Sequence, residues 1–260
     1  MSRSSVVEKN FSAAASTYDS AASFQRIAAR LFADFIRRHE SGRAPASSVL
    51  ELGAGSGLLT AHLPVLFPDA ALTVSDLSDK MLDVCRAKFS AVPRMSFERA
   101  DFNQELKPFQ HGFDAVLSSM AMHWAEDFDI ALRNAAATLR SENSRFYLCL
   151  PLAESTEKLK KLFESEALSF PGLELPRLES IIPHLSRNGF SLCAYQTEEC
   201  SETYNGLAEF LRSFQLTGTG RISGAGMRPS DLRRLLRKNE RVIENKYKFA
   251  FFICEVKKEK

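Results

Sequence analysis

Apolar residues recur along this chain in two rhythms. Short runs fall at Val49–Leu52, Leu72–Ser75, Met95–Ala100, Phe113–Ser119, Phe146–Pro151, Phe190–Tyr195 and Phe249–Val256. Runs of this length, rich in branched and aromatic side chains, read as strands, the central ones buried on both faces. Between them the apolar positions move to helical spacing. Ala28, Leu31, Phe32, Phe35 and Ile36 form one stripe, and Met81, Val84 and Cys85 form another behind a Ser78-Asp79 cap. Further helices are predicted over Ile130–Leu139, around Lys158, Lys160 and Lys161, and over 206–241, with breaks at Thr217-Gly218-Thr219-Gly220 and near Gly224–Pro229. Strands alternating with helices predict an α/β fold, a Rossmann-like sheet of seven strands. One domain accommodates the whole chain. Residues 1–46 supply an N-terminal helical segment, 47–151 a cofactor-binding core, and 152–260 the remaining strands with a helical insertion suited to capping a substrate.

The first strand runs into three glycines on alternate positions, Glu51-Leu52-Gly53-Ala54-Gly55-Ser56-Gly57, before a helical pattern begins. A ligand approaching such a turn meets backbone without Cβ atoms, and the following helix start would aim unpaired N–H groups at it. A dinucleotide fold would need G-x-G-x-x-G with pyrophosphate on the helix N-terminus. Here the phasing is G-x-G-x-G. The Glu51 carboxylate beside it repels phosphate and suits a cation. The pattern resembles motif I of class I methyltransferases that use S-adenosylmethionine, a ligand with a sulfonium and an ammonium and no phosphate. Gly53, Ala54, Gly55 and Gly57 are then cofactor-binding positions.

Later strand ends extend the pattern. Asp76 closes the second strand about 20 positions beyond the glycines, where a carboxylate accepts from both ribose hydroxyls. Leu77 and Met81 are candidates to flank an adenine. Asp101 ends the third strand and can accept from the adenine amine, with Phe102 as an apolar face. Ser118 and Ser119 sit where the fourth strand opens into the crevice. His123 and the lone Trp124 follow, either as catalytic parts or as structural anchors of the next helix. Near the N-terminus, Tyr18 and Gln25 lie on a scaffold of small residues. One reading is a helix packed on the domain edge with Tyr18 half exposed. The other is a lid over the cofactor pocket, with Tyr18 hydrogen-bonding at the methyl-transfer site.

Bulk properties narrow the class. The chain has 260 residues, 45% hydrophobic and 25% charged, with a net charge of +2. That balance gives no sequence-wide pull toward nucleic acid or membranes. Five cysteines without C-x-x-C spacing argue for a reducing compartment and against disulfide or zinc frameworks. No signal-like segment and no apolar run of about 18 residues is present, so a cytoplasmic location is expected.

The whole pattern resembles the malonyl-[acyl-carrier protein] O-methyltransferases of biotin synthesis. Phe11…Tyr18-Asp19…Gln25 is similar to that family's opening segment, Ser118-Ser119-Met120-Ala121-Met122-His123-Trp124 to its S-N-x-A-x-Q-W segment, and Leu211-Arg212-Ser213-Phe214-Gln215…Gly218 to its L-R-x-L-K-x-x-G segment. Gln215 stands in place of the usual Lys and His123 in place of Gln, and K-P-x-G before the fifth strand is missing. The resemblance implies a seven-stranded class I methyltransferase fold. It also implies methyl transfer from S-adenosyl-L-methionine to the free carboxylate of malonyl-acyl carrier protein or malonyl-CoA. Such a carboxylate, with a pKa of roughly 4, needs no base. An arginine fork should hold it, Arg212 first and Arg177 second. An acidic carrier would meet Arg228, Arg233, Arg234, Arg237, Lys238 and Arg241 beside the apolar stripe Leu232, Leu235, Leu236 and Val242. Alternatives are a methyltransferase for a free small acid or quinone precursor, in which His123 would be the base, and a non-catalytic cofactor-binding relative.

Overall fold

The structure, a computed structural model, describes residues 2–170, 172–219, 229–239 and 241–257. Three N-terminal helices come first: α1 (Arg3–Ala14), α2 (Tyr18–Ala21) and α3 (Ser23–His39). Then follow β1 (Ser48–Leu52), α4 (Leu63–Leu66), β2 (Ala71–Asp76), α5 (Asp79–Phe89), β3 (Met95–Arg99), β4 (Ala115–Ser119), α6 (Phe128–Thr138) and β5 (Arg145–Pro151). The C-terminal part holds α7 (Glu154–Ser165), α8 (Leu178–Arg187), β6 (Phe190–Tyr204), α9 (Leu207–Leu216), α10 (Pro229–Lys238) and β7 (Ile243–Val256).

The seven strands form one sheet in the order β3-β2-β1-β4-β5-β7-β6. The first five pair in parallel, while β7 runs antiparallel to both β5 and β6. Strand order reverses between β1 and β4, and such a switch point opens a crevice at the strands' carboxyl ends. The central strands are covered on both sides, as their continuous apolar runs require. Leu50, Val116 and Phe146 face Leu132 of α6 and Ile181 and Leu185 of α8. Val49, Leu117 and Tyr147 on the other face meet Phe32, Phe35 and Ile36 of α3. A separate cluster, including Phe163, Leu207, Phe210, Leu235 and Tyr247, binds α7, α9 and α10 to the far end of β7.

Two elements differ from the expected pattern. The helix after the glycines is only α4, preceded by a 3-10 turn at Thr60–His62. Pro64 lacks an N–H and its ring would crowd the Thr60 carbonyl in a continuous helix, and Pro68 ends the segment. The last two strands run past the apolar stretches that marked them, to Tyr204 in β6 and from Ile243 in β7. These extensions carry the charged residues Glu198, Glu199, Glu202, Lys246 and Lys248. Paired antiparallel, the two strands set opposite charges side by side, with Glu199 opposite Lys248 and 3.6 Å from the Lys246 ammonium. The break foreseen near Gly224–Pro229 falls largely outside the described residues.

Candidate active site

The glycine turn is tied to β2 before any ligand is considered. Gly53 N and Ala54 N both donate to the Ser75 carbonyl at 2.9 Å. Gly55 N donates to Asp76 Oδ2 at 2.8 Å, and Ser78 N to Asp76 Oδ1 at 2.8 Å. Ser78 then caps α5 by accepting from Met81 N. The glycines do different work. A Cβ on Gly53 would lie 2.4 Å from Ala121 Cβ, so the turn can approach β4's exit only without one. A Cβ on Gly57 would lie 2.5 Å from the Phe89 ring and 2.8 Å from Cys85 Sγ. Gly57 therefore serves the packing of the turn on α5 and does not line the crevice, contrary to its expected cofactor contact.

Three carboxylates, Glu51, Asp76 and Asp101, line this crevice, and no Lys or Arg lines it among the described residues. Glu51 is 1% exposed, and its Oε2 accepts from Thr60 Oγ1 at 2.7 Å. Burial pushes its pKa up to about 7 against the Thr60 hydrogen bond, and the charge of Asp76 adds to the rise. Burial also raises the Asp76 carboxyl, opposed by the backbone N–H groups of Ser78, Gly55 and Leu77. Asp101 Oδ1 accepts from Asn103 N at 2.9 Å and Asn103 Nδ2 at 2.8 Å, which leaves Oδ2 unengaged among the described residues. Leu77 and Phe102 supply apolar walls. Gln25 is 5% exposed, and its Oε1 is buried without a partner. A pyrophosphate would be repelled here. A cationic nucleoside with free hydroxyl and amine donors fits the donor-poor, acid-rich walls.

Two expected contacts move. Met81 is fully buried in the first turn of α5, so it packs under the crevice and does not flank it. Ser118 points the other way from the expected one: its Oγ donates to the Leu52 carbonyl at 2.9 Å and bonds β4 to β1. Successive strand residues face opposite sides, so Ser119 lines the crevice instead, its Oγ buried and unpartnered.

The N-terminal helices lie across the crevice. Arg3 donates to the Ala125 carbonyl at 2.8 Å, Arg99 pairs with Glu8 at 2.8 Å, and the Ser12 and Ser78 hydroxyls meet at 2.8 Å. Asp19, quoted in the opening segment without a role, accepts from Ser56 Oγ of the glycine turn at 2.6 Å and pairs with Lys88 of α5. Burial alone would raise its pKa, but Lys88 and Ser56 outweigh that and hold it low. Its place in that segment, next to Tyr18, is the sequence signal for it. Tyr18 is driven well above the ordinary phenol range by burial and by Asp76 and Asp19, so it remains a neutral hydroxyl.

Phe11, Tyr18, Gln25, Met120 and Trp124 line both this crevice and a neighbouring cavity of about 680 Å³. Trp124 meets the Phe11 ring edge-on at 5.5 Å, joining α1 to the turn that leaves β4. His123 lines the cavity with Nδ1 buried and unpartnered. Burial pushes its pKa down to about 3, so the imidazole is neutral and a poor base. Arg212 of α9 is the single charged side chain on the cavity wall among the described residues. Arg177, the second choice, caps the start of α8 away from this wall.

The basic helix face is smaller than the sequence suggested. Leu235 is fully buried, and Leu232 and Leu236 face the cavity, so that stripe belongs to the protein's own interior and only Val242 is exposed. Arg234 is paired with Glu166 at 3.3 Å and Asp231 at 3.5 Å, leaving Arg233, Arg237 and Arg241 outward. Arg228 and the Lys238 side chain lie outside what is described. No described helix is long and apolar enough to cross a membrane.

Sheet order, glycine turn and acid-lined crevice define a class I S-adenosylmethionine-dependent methyltransferase, and a model of the methyltransferase domain matches residues 49–142. The chain is similar along nearly its full length to malonyl-[acyl-carrier protein] O-methyltransferases. The protein of that name from Neorickettsia risticii is 27% identical over 246 residues, 95% of this chain and 94% of that one. Its namesake from a Paenibacillus species is 24% identical over 252 residues, covering 93% and 91%. Among solved structures, the YcgJ protein of Bacillus subtilis superposes with a TM-score of 0.61 at 17% identity, covering 89% of this chain and all (100%) of that one. A Haemonchus contortus phosphoethanolamine N-methyltransferase in complex with S-adenosylhomocysteine gives 0.52 at 14% identity, covering 87% and 52%. These two likenesses bear on the fold.

Proposed function

We propose that this protein methylates the free carboxylate of a malonyl thioester, carried on acyl carrier protein or coenzyme A in the cytoplasm, to open assembly of the pimeloyl chain of biotin. One observation carries the reading: among the described residues a single cation, Arg212, lines a cavity that is otherwise uncharged and shares a wall with the acid-lined crevice. The similarity to proteins named for this reaction supports it.

The cofactor, S-adenosyl-L-methionine, supplies when bound a methyl group on a positively charged sulfur. Glu51 would hold the cationic end of the cofactor, Asp76 would accept from its ribose hydroxyls and Asp101 from its adenine amine, with Leu77 and Phe102 as apolar walls. Arg212 gathers the acceptor carboxylate in a two-bond fork. Tyr18, kept neutral, donates a hydrogen bond at the shared wall. The acceptor is already ionised at neutral pH, so His123 has no proton to remove, and a neutral imidazole with a pKa of about 3 suits that. Positioning and exclusion of water supply the acceleration, with α1 and α2 as the lid and α9 and α10 as the cap. An acidic carrier docks on Arg233, Arg237 and Arg241. A quinone precursor would need its phenol or carbon acid deprotonated, which this imidazole serves badly.

The test compares malonyl-acyl carrier protein, malonyl-CoA, free malonate and other small acids as acceptors, following S-adenosylhomocysteine release. Transfer to the thioesters, lost in Arg212→Ala, is expected. Turnover confined to free acids would overturn the reading.

A further inference from the structure

The acceptor cavity is larger and less polar than a malonyl group needs. Phe24, Leu159, Phe163, Phe170, Leu232 and Leu236 converge on it from α3, α7, α10 and the stretch after α7. Five of these six also belong to the apolar cluster that holds the inserted helices together. Protein interiors pack to near-crystalline density, and an apolar wall facing open space forfeits its dispersion contacts. An apolar occupant restores them.

The polar groups along the same wall are already committed. Ser155 Oγ donates to the Lys248 carbonyl at 2.8 Å, Thr156 Oγ1 to Ala153 at 3.2 Å, and Thr219 Oγ1 to Phe214 at 3.1 Å. The Tyr247 hydroxyl is bonded to Tyr204 at 2.7 Å. Among the described residues, uncommitted polar groups remain at Gln25 on the wall shared with the crevice, at His123 on the cavity side alone, and on α9 at Arg212 and Gln215. The cavity therefore offers, among the described residues, one charge-binding locus and a long apolar surface, the complement of a carboxylate with a hydrocarbon tail.

Resting on the reading that this is a carboxyl methyltransferase, we propose a further activity: methylation of free unbranched alkyl carboxylic acids of roughly eight to twelve carbons, with the chain seated among these side chains. The acid's carboxylate oxygen forms the new O–C bond as the donor's C–S bond breaks, and that electron pair stays on sulfur. The products are a methyl ester and a neutral thioether. No proton moves and no further reactant is needed.

The experiment offers butanoate, hexanoate, octanoate and decanoate to the purified protein with S-adenosylmethionine, with malonyl thioester alongside, and quantifies the methyl esters. Binding of the same acids in the presence of S-adenosylhomocysteine is measured by calorimetry. Both kcat/KM and affinity should rise about three- to fourfold per methylene, so the six extra methylenes of decanoate should raise them over butanoate by roughly 700- to 4,000-fold. Leu159→Trp, which narrows the chain's path, should cut the decanoate-to-butanoate ratio about tenfold or more. A ratio within one variant is insensitive to lost folded protein, and the series on the unaltered protein decides the matter if the variant does not fold. A flat series with malonyl thioester still methylated overturns this inference and leaves the earlier reading standing. Decanoate methylated in preference to malonyl thioester supports the inference and overturns that reading. Failure to bind S-adenosylhomocysteine removes both.

Discussion

The backbone N–H of Gly55 donates a 2.8 Å hydrogen bond to Asp76 Oδ2, so one carboxylate fixes the glycine turn and borders the crevice at once. Each oxygen of Asp76 already accepts one backbone N–H and has a further lone pair for a ribose hydroxyl. Asp76→Ala removes both ligand bonds and the anchor of the turn. Affinity for S-adenosylhomocysteine should fall by about a hundredfold or more, since bonds to a charged acceptor contribute roughly 1.5–3 kcal/mol each. Asp76→Asn, with one acceptor oxygen left, should fall in between. Calorimetry that finds the alanine variant unimpaired would refute the ribose assignment.

Glu51 makes cofactor binding depend on pH. In the free protein its pKa is raised to about 7, and a cation beside it favours the ionised form, so binding below that pH releases a proton. Affinity should rise up to about tenfold per pH unit below pH 7 and level off above it. Glu51→Gln should flatten the curve. Stability of the ligand-free protein runs oppositely. A carboxyl whose folded pKa lies above its unfolded one contributes fully below the unfolded value and loses that contribution as pH rises to about 7, of order 3 kcal/mol for this buried group. Melting curves with and without S-adenosylhomocysteine across this range check both signs.

The cofactor half of the site was legible because its parts are local. Glu51, Gly53, Asp76 and Asp101 each close a strand, and strand ends are the one place where sequence position fixes position in the crevice. The phase of Ser118 and Ser119 was not legible, since two serines in succession say nothing about which faces the crevice. The neighbouring cavity was hidden for another reason. Phe24, Phe163, Leu232 and Tyr247 come from α3, α7, α10 and β7, and each alone reads as ordinary core. Only the fold shows that they surround a space. The longer β6–β7 pairing was masked by its own charges, which meet across strands far apart in the sequence.

Gly57 separates a packing role from a ligand role. At φ 92° a side chain is strained, and its Cβ would lie 2.5 Å from the Phe89 ring. Gly57→Ala should cost about 2–4 kcal/mol, a fall in Tm of about 5–15 °C. Cofactor affinity of the folded fraction should stay within about threefold, because the residue does not line the crevice. A large affinity loss at unchanged Tm would return Gly57 to the binding turn.

His123 distinguishes acceptors that need a base from those that do not. Its pKa, held down to about 3 by burial, leaves no titration near neutrality and little basicity. A general base removed by mutation costs about a hundredfold to ten-thousandfold. A group that only fills and polarises the cavity wall costs far less when an amide of similar reach replaces it. His123→Gln should therefore keep activity within about fivefold, and no limb of the pH–rate profile should vanish with it. The limb that remains near pH 7 should be the one that Glu51→Gln removes. A thousandfold loss in His123→Gln, together with loss of a pH limb, would place a proton on the acceptor and rule out a simple carboxylate.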